Sequence, residues 1–190
     1  MPQDSTDQPL EEAFDQTIDA LNESKAVYAL IGGFAVAVHG LPRPTRDVDI
    51  LFSIPRIALP GLLDRLTERG FEFKLEDVLR ELGQGHLSTI SYAGVRIDLL
   101  DAALLPVFHR IVTRAGEHEL RGRRVRVVTA EDLIALKMIS CRETDIRDVR
   151  GILAAQQGSL KLDVVRKSLR ECCDDERIQQ FEQLVAQSSV

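Results

Sequence analysis

The sequence predicts a mixed α+β fold: a mixed β-sheet with flanking helices, followed by a helical C-terminal region. Three observations lead there. Short apolar strand-like runs are interleaved with helical segments through residue 128. Beyond that point only helical spacing continues. One hairpin, His86–Ala102, is written as two alternating runs around Ala93-Gly94. The expected organisation is a loose N-terminus (1–9), a sheet-containing core (10–128) and a helical C-terminal region (129–190), with no repeat and no low-complexity tract.

The elements follow in order. Leu10, Phe14, Ile18 and Leu21 recur at helical spacing. Val27–Ile31 reads as a short strand, and the segment from Gly32 to Gly40 as a turn and a tight helix. Asp47–Phe52 is a strand. Ile57–Gly70 is helical with Gly70 as its stop, and Pro60-Gly61 either breaks or starts it. Phe71–Lys74 reads as a short strand, while Leu75–Gly85 fits no single pattern. The 86–102 hairpin comes next, then a helix near Ala103–Ala115 and a smaller hairpin over 118–128. Thr129, with Asp132 three positions on, opens a helix in capping-box fashion. Three more helical runs, within 145–156, 162–172 and 175–187, complete the chain.

Composition narrows the function. Hydrophobic residues make up 44% of the 190, enough for a sizeable core, with little aromatic content and no Trp. A net charge of −6 argues against strong general affinity for nucleic acid. No apolar run approaches the roughly 18 residues of a membrane helix, and no signal peptide is recognisable. Cys141, Cys172 and Cys173 are odd in number and two are adjacent, which suits neither a disulfide framework nor a zinc site. Reduced thiols and a cytoplasmic protein are expected.

Two aspartates interrupt the apolar strand "DVDILF". Residues i and i+2 of a strand share a face, so Asp47 and Asp49 converge. Asp98 is a lone acid within "VRIDLLDA". If the strand of 95–100 lies beside that of 47–52, three carboxylates occupy one small region. Two unit charges about 4 Å apart repel by roughly 4 kcal/mol at an effective dielectric near 20. A domain stable by about 5–15 kcal/mol tolerates such a group when a cation sits among the acids or one stays protonated. Hard divalent ions favour carboxylate oxygens, and no histidine at a metal-ligand spacing points to zinc. The alternative is purely structural: Asp47 capping a turn, Asp49 paired with Arg46 or Arg96, and Asp98 on a solvated edge.

Gly32-Gly33 falls where a strand gives way to a helix. Glycine lets backbone approach a ligand closely, and a helix N-terminus offers free N–H groups to phosphate. The pattern is neither a P-loop nor a dinucleotide fingerprint. The combination Gly-Gly, thirteen residues, Asp-Val-Asp, then an acid in a later strand resembles the nucleotidyltransferase superfamily with the DNA polymerase β-like catalytic fold. Within it, "GGFAVAVHGLPRPTRDVDI" and the later "DLIALKMISCRETDIRDVRGIL" are most similar to the small bacterial abortive-infection toxins of AbiEii type. The resemblance spans residues 28–155.

That resemblance implies roles. Asp47, Asp49 and Asp98 would be the catalytic and metal-binding acids, holding two Mg²⁺ ions, with Mn²⁺ as a substitute. Asp98 would also help activate the attacking hydroxyl. Gly32 and Gly33 would cradle the phosphates of an NTP. Many relatives carry Ser at the second position, so Gly33 leaves only backbone there. Arg46 and Lys137 would neutralise triphosphate charge, although a lone helical lysine is ordinarily solvated. Arg43 and Arg46 could equally pair with the neighbouring acids. Asp148, with Asp145 on the same helix face, would position acceptor or base, or else pair with Arg142, Arg147 or Arg150. His39 is structural or lines the pocket. The arginines of 121–128 form a solvated face or an RNA contact. The implied activity moves a nucleoside monophosphate from an NTP to a hydroxyl of a tRNA, a protein or a small molecule, in a toxin with an antitoxin partner. A catalytically degenerate nucleotide-binding or protein-interaction member is the alternative.

Overall fold

The computed structural model describes residues 8–40 and 42–188. Their framework is a six-stranded mixed sheet in the order β3-β4-β2-β1-β6-β5. Helix α1 (Gln8–Glu23) buries Phe14, Ile18 and Leu21 and leads into β1 (Val27–Leu30). Gln8 and Pro9, expected to be loose, form its first turn, and residues 1–7 lie outside the described residues. Helix α2 (Gly32–His39) follows, then β2 (Asp47–Ser53), antiparallel to β1.

Between β2 and its parallel neighbour the chain makes a long crossover, as a parallel pair requires. A 3-10 turn, Arg56–Ala58, leads into α3 (Leu59–Glu68), where Pro60 sits in the first turn and starts the helix rather than breaking it. The expected strand at Phe71–Lys74 is reduced to a single bridge between Glu72 and Ser91. Phe71 turns inward against Tyr92, ring centres 5.0 Å apart, and the chain enters a helix at once. That helix, α4 (Leu75–Gln84), buries Val78 and Leu82 and settles the ambiguous segment.

The hairpin of β3 (Leu87–Tyr92) and β4 (Val95–Asp101) is present as expected. Its turn places Ala93 and Gly94 at φ +48 and +79, the left-handed pair that a two-residue hairpin uses. Helix α5 (Pro106–Arg114) is followed by the second hairpin, β5 (Gly116–Leu120) and β6 (Arg123–Val127). β6 joins β1 in parallel and completes the sheet. Helices α6 (Ala130–Ser140), α7 (Glu143–Ala155), α8 (Leu162–Cys172) and α9 (Asp175–Ser188) form the C-terminal region. Thr129 caps α6, its hydroxyl accepting from the Asp132 N–H at 3.2 Å.

The arginines of the second hairpin are mostly engaged inside the molecule. Arg121 pairs with Glu11 and Asp15 of α1, and Arg123 with Asp15 and Asp19. Arg126 donates to the carbonyls of Tyr28, Val112 and Thr113. These contacts pin α1 and α5 to the sheet, while Arg121 and Arg124 remain exposed on the solvent side of the hairpin. No helix among the described residues is long and apolar enough to cross a membrane.

Candidate active site

β2 and β4 are adjacent and parallel, with Asp49 directly opposite Asp98 and Asp47 opposite Arg96. On β2 the residues Asp47, Asp49 and Leu51 share one face. The two aspartates are partly exposed and Leu51 is fully buried. The strand therefore emerges from the core at its start and presents the acids there. Carboxylate oxygens of Asp47, Asp49 and Asp98 lie within 4.8 Å of one another.

Arg96, two residues before Asp98 and so on the same face, lies between two of these acids. Its Nη2 donates to Asp47 Oδ2 at 2.8 Å and lies 3.2 Å from Asp98 Oδ2. Asp98 also accepts from the Thr89 hydroxyl at 2.7 Å. Asp49 pairs with neither Arg46 nor Arg96. Burial, then the charges of Asp47 and Asp98, push its carboxyl up to about 6. Three oxygen donors at this spacing, with one already strained toward protonation, fit a hard divalent cation better than they fit each other.

The start of α2 closes over the acids. Gly32 has φ +62, and a Cβ there would lie 1.8 Å from Asp49 Oδ2. Glycine is thus required twice, by backbone conformation and by contact. Gly32→Ala is expected to destabilise the fold by about 2 kcal/mol, from left-handed strain plus displacement of Asp49. Chemical denaturation checks this, and a variant as stable as the parent would contradict the contact. Gly32 and Gly33 both line the cleft, where the first N–H groups of α2 lack intrahelical partners.

The cleft encloses about 450 Å³. One side carries the acids, Arg43, Arg96 and the α2 start. Its apolar wall comes from Leu136 and Ile139 of α6, which flank Lys137, from Phe108 of α5 and from Leu100, two residues after Asp98 on the same face of β4; Arg142 and Thr144 also line it. Lys137 is nearly buried. Its Nζ donates to Asp145 Oδ1 at 2.8 Å and lies 2.9 Å from Asp148 Oδ2. Asp148 also takes two hydrogen bonds from Arg43, at 2.7 and 3.0 Å. Burial alone would raise the Asp148 carboxyl, but the Arg43 and Lys137 hydrogen bonds outweigh it and hold it below the usual range.

The structure thus brings together Gly32, Gly33, Asp47, Asp49, Asp98 and Lys137. Asp148 stands behind Lys137 and does not line the cleft. Arg46 is exposed and outside it, because alternation turns it away from Asp47. The arginine that reaches in from this turn is Arg43. The pairings expected within the turn do not form, since Arg43 crosses to Asp148 instead. His39 is structural: its Nε2 lies 2.6 Å from the Val128 carbonyl and its ring packs edge-on against His118.

Comparison with known proteins gives a family and a shared fold. The profile of the family described as "Nucleotidyl transferase AbiEii toxin, Type IV TA system" matches residues 16–185. No curated protein sequence matches the chain. Among solved structures, ANT(2")-Ia in complex with adenylyl-2"-tobramycin superposes with a TM-score of 0.57 at 17% identity, covering 83% of this chain and 94% of that one. JHP933 from Helicobacter pylori gives 0.54 at 12% identity over 98% and 91%. The lincosamide antibiotic adenylyltransferase LnuA, lincomycin-bound, gives 0.51 at 16% identity over 76% and 96%. At these identities the shared property is the fold, whereas the profile spans nearly the whole chain. The acids on β2 and β4, the glycine pair above them and that match make this chain a member of the AbiEii nucleotidyltransferase family.

Proposed function

We propose that the protein transfers a nucleoside monophosphate from an NTP to a hydroxyl acceptor, with Mg²⁺ held by Asp47, Asp49 and Asp98 and Mn²⁺ as a substitute. The observation that carries this reading is the register of Asp49 against Asp98 under the start of α2. Bound divalent ions would supply charge stabilisation to the attacking and leaving oxygens. The acceptor oxygen bonds to the α-phosphorus, the bond from that phosphorus to its bridging oxygen breaks, and pyrophosphate leaves. In this reading Asp98 takes the acceptor proton. The N–H groups of Gly32 and Gly33 receive phosphate oxygens, and Arg43 and Lys137 add positive charge. The apolar wall of Leu100, Phe108, Leu136 and Ile139 suits the flat face of a base.

The family's description makes a toxin with an antitoxin partner the working context, with a tRNA, protein or small molecule as acceptor. Two structural neighbours are named for adenylyl chemistry, so ATP is the first nucleotide to try. A ligand at about 100 times its dissociation constant adds roughly 2.7 kcal/mol of stability. The expected result is a melting-temperature rise of about 5–10 °C with one NTP, only when Mg²⁺ is present. Label from that NTP, carried on the α-phosphate, should then appear on the acceptor. Absence of any shift with all four NTPs would favour a degenerate scaffold.

A further inference from the structure

Thr45 lies two residues before Asp47, outside the cleft. Its Oγ1 donates to Asp47 Oδ1 at 3.0 Å. The main-chain oxygen of Asp47, at 3.4 Å, is the longer alternative. The other carboxylate oxygen, Oδ2, receives Arg96. Thr45 is therefore a hydrogen-bond donor behind Asp47, on the carboxylate oxygen that Arg96 leaves alone.

Gly33 explains why Thr45 sits there. Unlike Gly32, Gly33 is not at positive φ, so its backbone would accept any residue. A Cβ at Gly33 would nonetheless lie 2.4 Å from Thr45 Oγ1 and 2.7 Å from Thr45 Cβ. Both are too short for real atoms. Residues 33 and 45 therefore compete for one volume between the start of α2 and the start of β2, and this chain fills it from residue 45. Packing of that kind removes alternative rotamers and fixes where the hydroxyl points.

We propose that Thr45 is a positioning residue of the metal centre: wedged against Gly33, its hydroxyl sets the orientation of the Asp47 carboxylate toward the cation. The proposal rests on the triad being a metal centre. Partners that hydrogen-bond a ligating carboxylate fix its aim, and losing one typically costs about 10- to 100-fold in metal affinity.

The test is Mn²⁺ binding to the full chain, followed by loss of the free-ion paramagnetic resonance signal, with melting temperature in chelator as the control for folding. Thr45→Val keeps the shape and removes the donor. It should weaken Mn²⁺ binding by about tenfold while the chelated protein melts close to wild type. Thr45→Ser keeps the donor and should restore most of the affinity, which a purely steric role would not produce. Gly33→Ala should lower the melting temperature, and Thr45→Gly in the same chain should recover it, because the two sites share space. Unchanged Mn²⁺ affinity in Thr45→Val, or equal loss in Thr45→Ser, would overturn the proposal while leaving the metal centre intact. A wild-type protein that binds no Mn²⁺ would overturn the metal centre and this inference together.

Discussion

Asp49→Asn is expected to raise the melting temperature of the metal-free protein by about 4–8 °C at pH 8 while abolishing Mg²⁺-dependent nucleotide binding. The stabilisation follows from the raised carboxyl. Burial comes first among its causes, then the charges of Asp47 and Asp98, and together they bring it to about 6 from 3.8. The folded chain therefore holds a proton that the unfolded chain releases between about pH 4 and 6, so stability falls as pH rises through that window and stays lower above it. A shift of about two units corresponds to roughly 3 kcal/mol, and solvent at the mouth of the cleft reduces this to about 2. Asn has no charge to lose and escapes the penalty. Scans in chelator at pH 4, 5 and 8 check this: the two proteins should lie closest at pH 4, differ by about half of the full amount at pH 5, and be fully separated at pH 8. With Mg²⁺ and the preferred NTP, wild type should gain and the variant should not, and nucleotidyl transfer should fall by at least about a thousandfold. Equal melting at pH 8 in chelator would mean that the three acids do not strain one another as their spacing requires.

The same residues show how much of the site is legible in the amino-acid sequence. Asp47 and Asp49 share a face because strands alternate, and the chain spells out both residues. Placing Asp98 beside them requires the two strands to be neighbours, which the register confirms. Gly32 is legible as a turn. That its missing Cβ makes room for the Asp49 carboxylate is not, since the contact spans the β1–β2 connection. Alternation is the signal that finds Arg96 and Thr45, each two residues before a site acid. It also excludes Arg46, one residue before. Arg43 cannot be assigned this way. Its partner Asp148 is 105 residues away, and only the packing of α7 near the loop before β2 brings them together. The hairpin arginines are illegible for the same reason, because their acidic partners sit on the first helix. Phe71–Lys74 misleads through local composition: its aromatic alternation matches a strand, but Phe71 is needed in the core and the next helix begins three residues after Glu72.

Lys137→Met is the substitution expected to cost the most stability, about 3–5 kcal/mol, because it leaves buried carboxylates without their cation. The Asp145 and Asp148 side chains are only 6% and 3% exposed, and the ammonium contacts both. Their remaining partners are unequal. Asp148 keeps the two hydrogen bonds from Arg43, while Asp145 keeps the Arg142 N–H at 3.1 Å and a longer approach by the exposed Arg142 side chain. Asp145 should therefore be the more damaging orphan. Adding Asp145→Asn to Lys137→Met should recover a substantial part of the loss, whereas adding Asp148→Asn should recover less and disturb Arg43. Urea unfolding of the singles and doubles measures these couplings, and independent, additive losses would show that the cluster is not one electrostatic unit. The cluster also bears on the chemistry. A lysine fully compensated by two aspartates has little net charge to offer a triphosphate, so its gain on nucleotide binding depends on how far those contacts loosen. If Lys137 serves the nucleotide, a Lys137→Met, Asp145→Asn double variant with regained stability should still show weakened Mg²⁺-NTP binding. Normal binding in that double variant would confine Lys137 to holding α6 and α7 together and leave Arg43 as the cation of the cleft nearest the loop before β2.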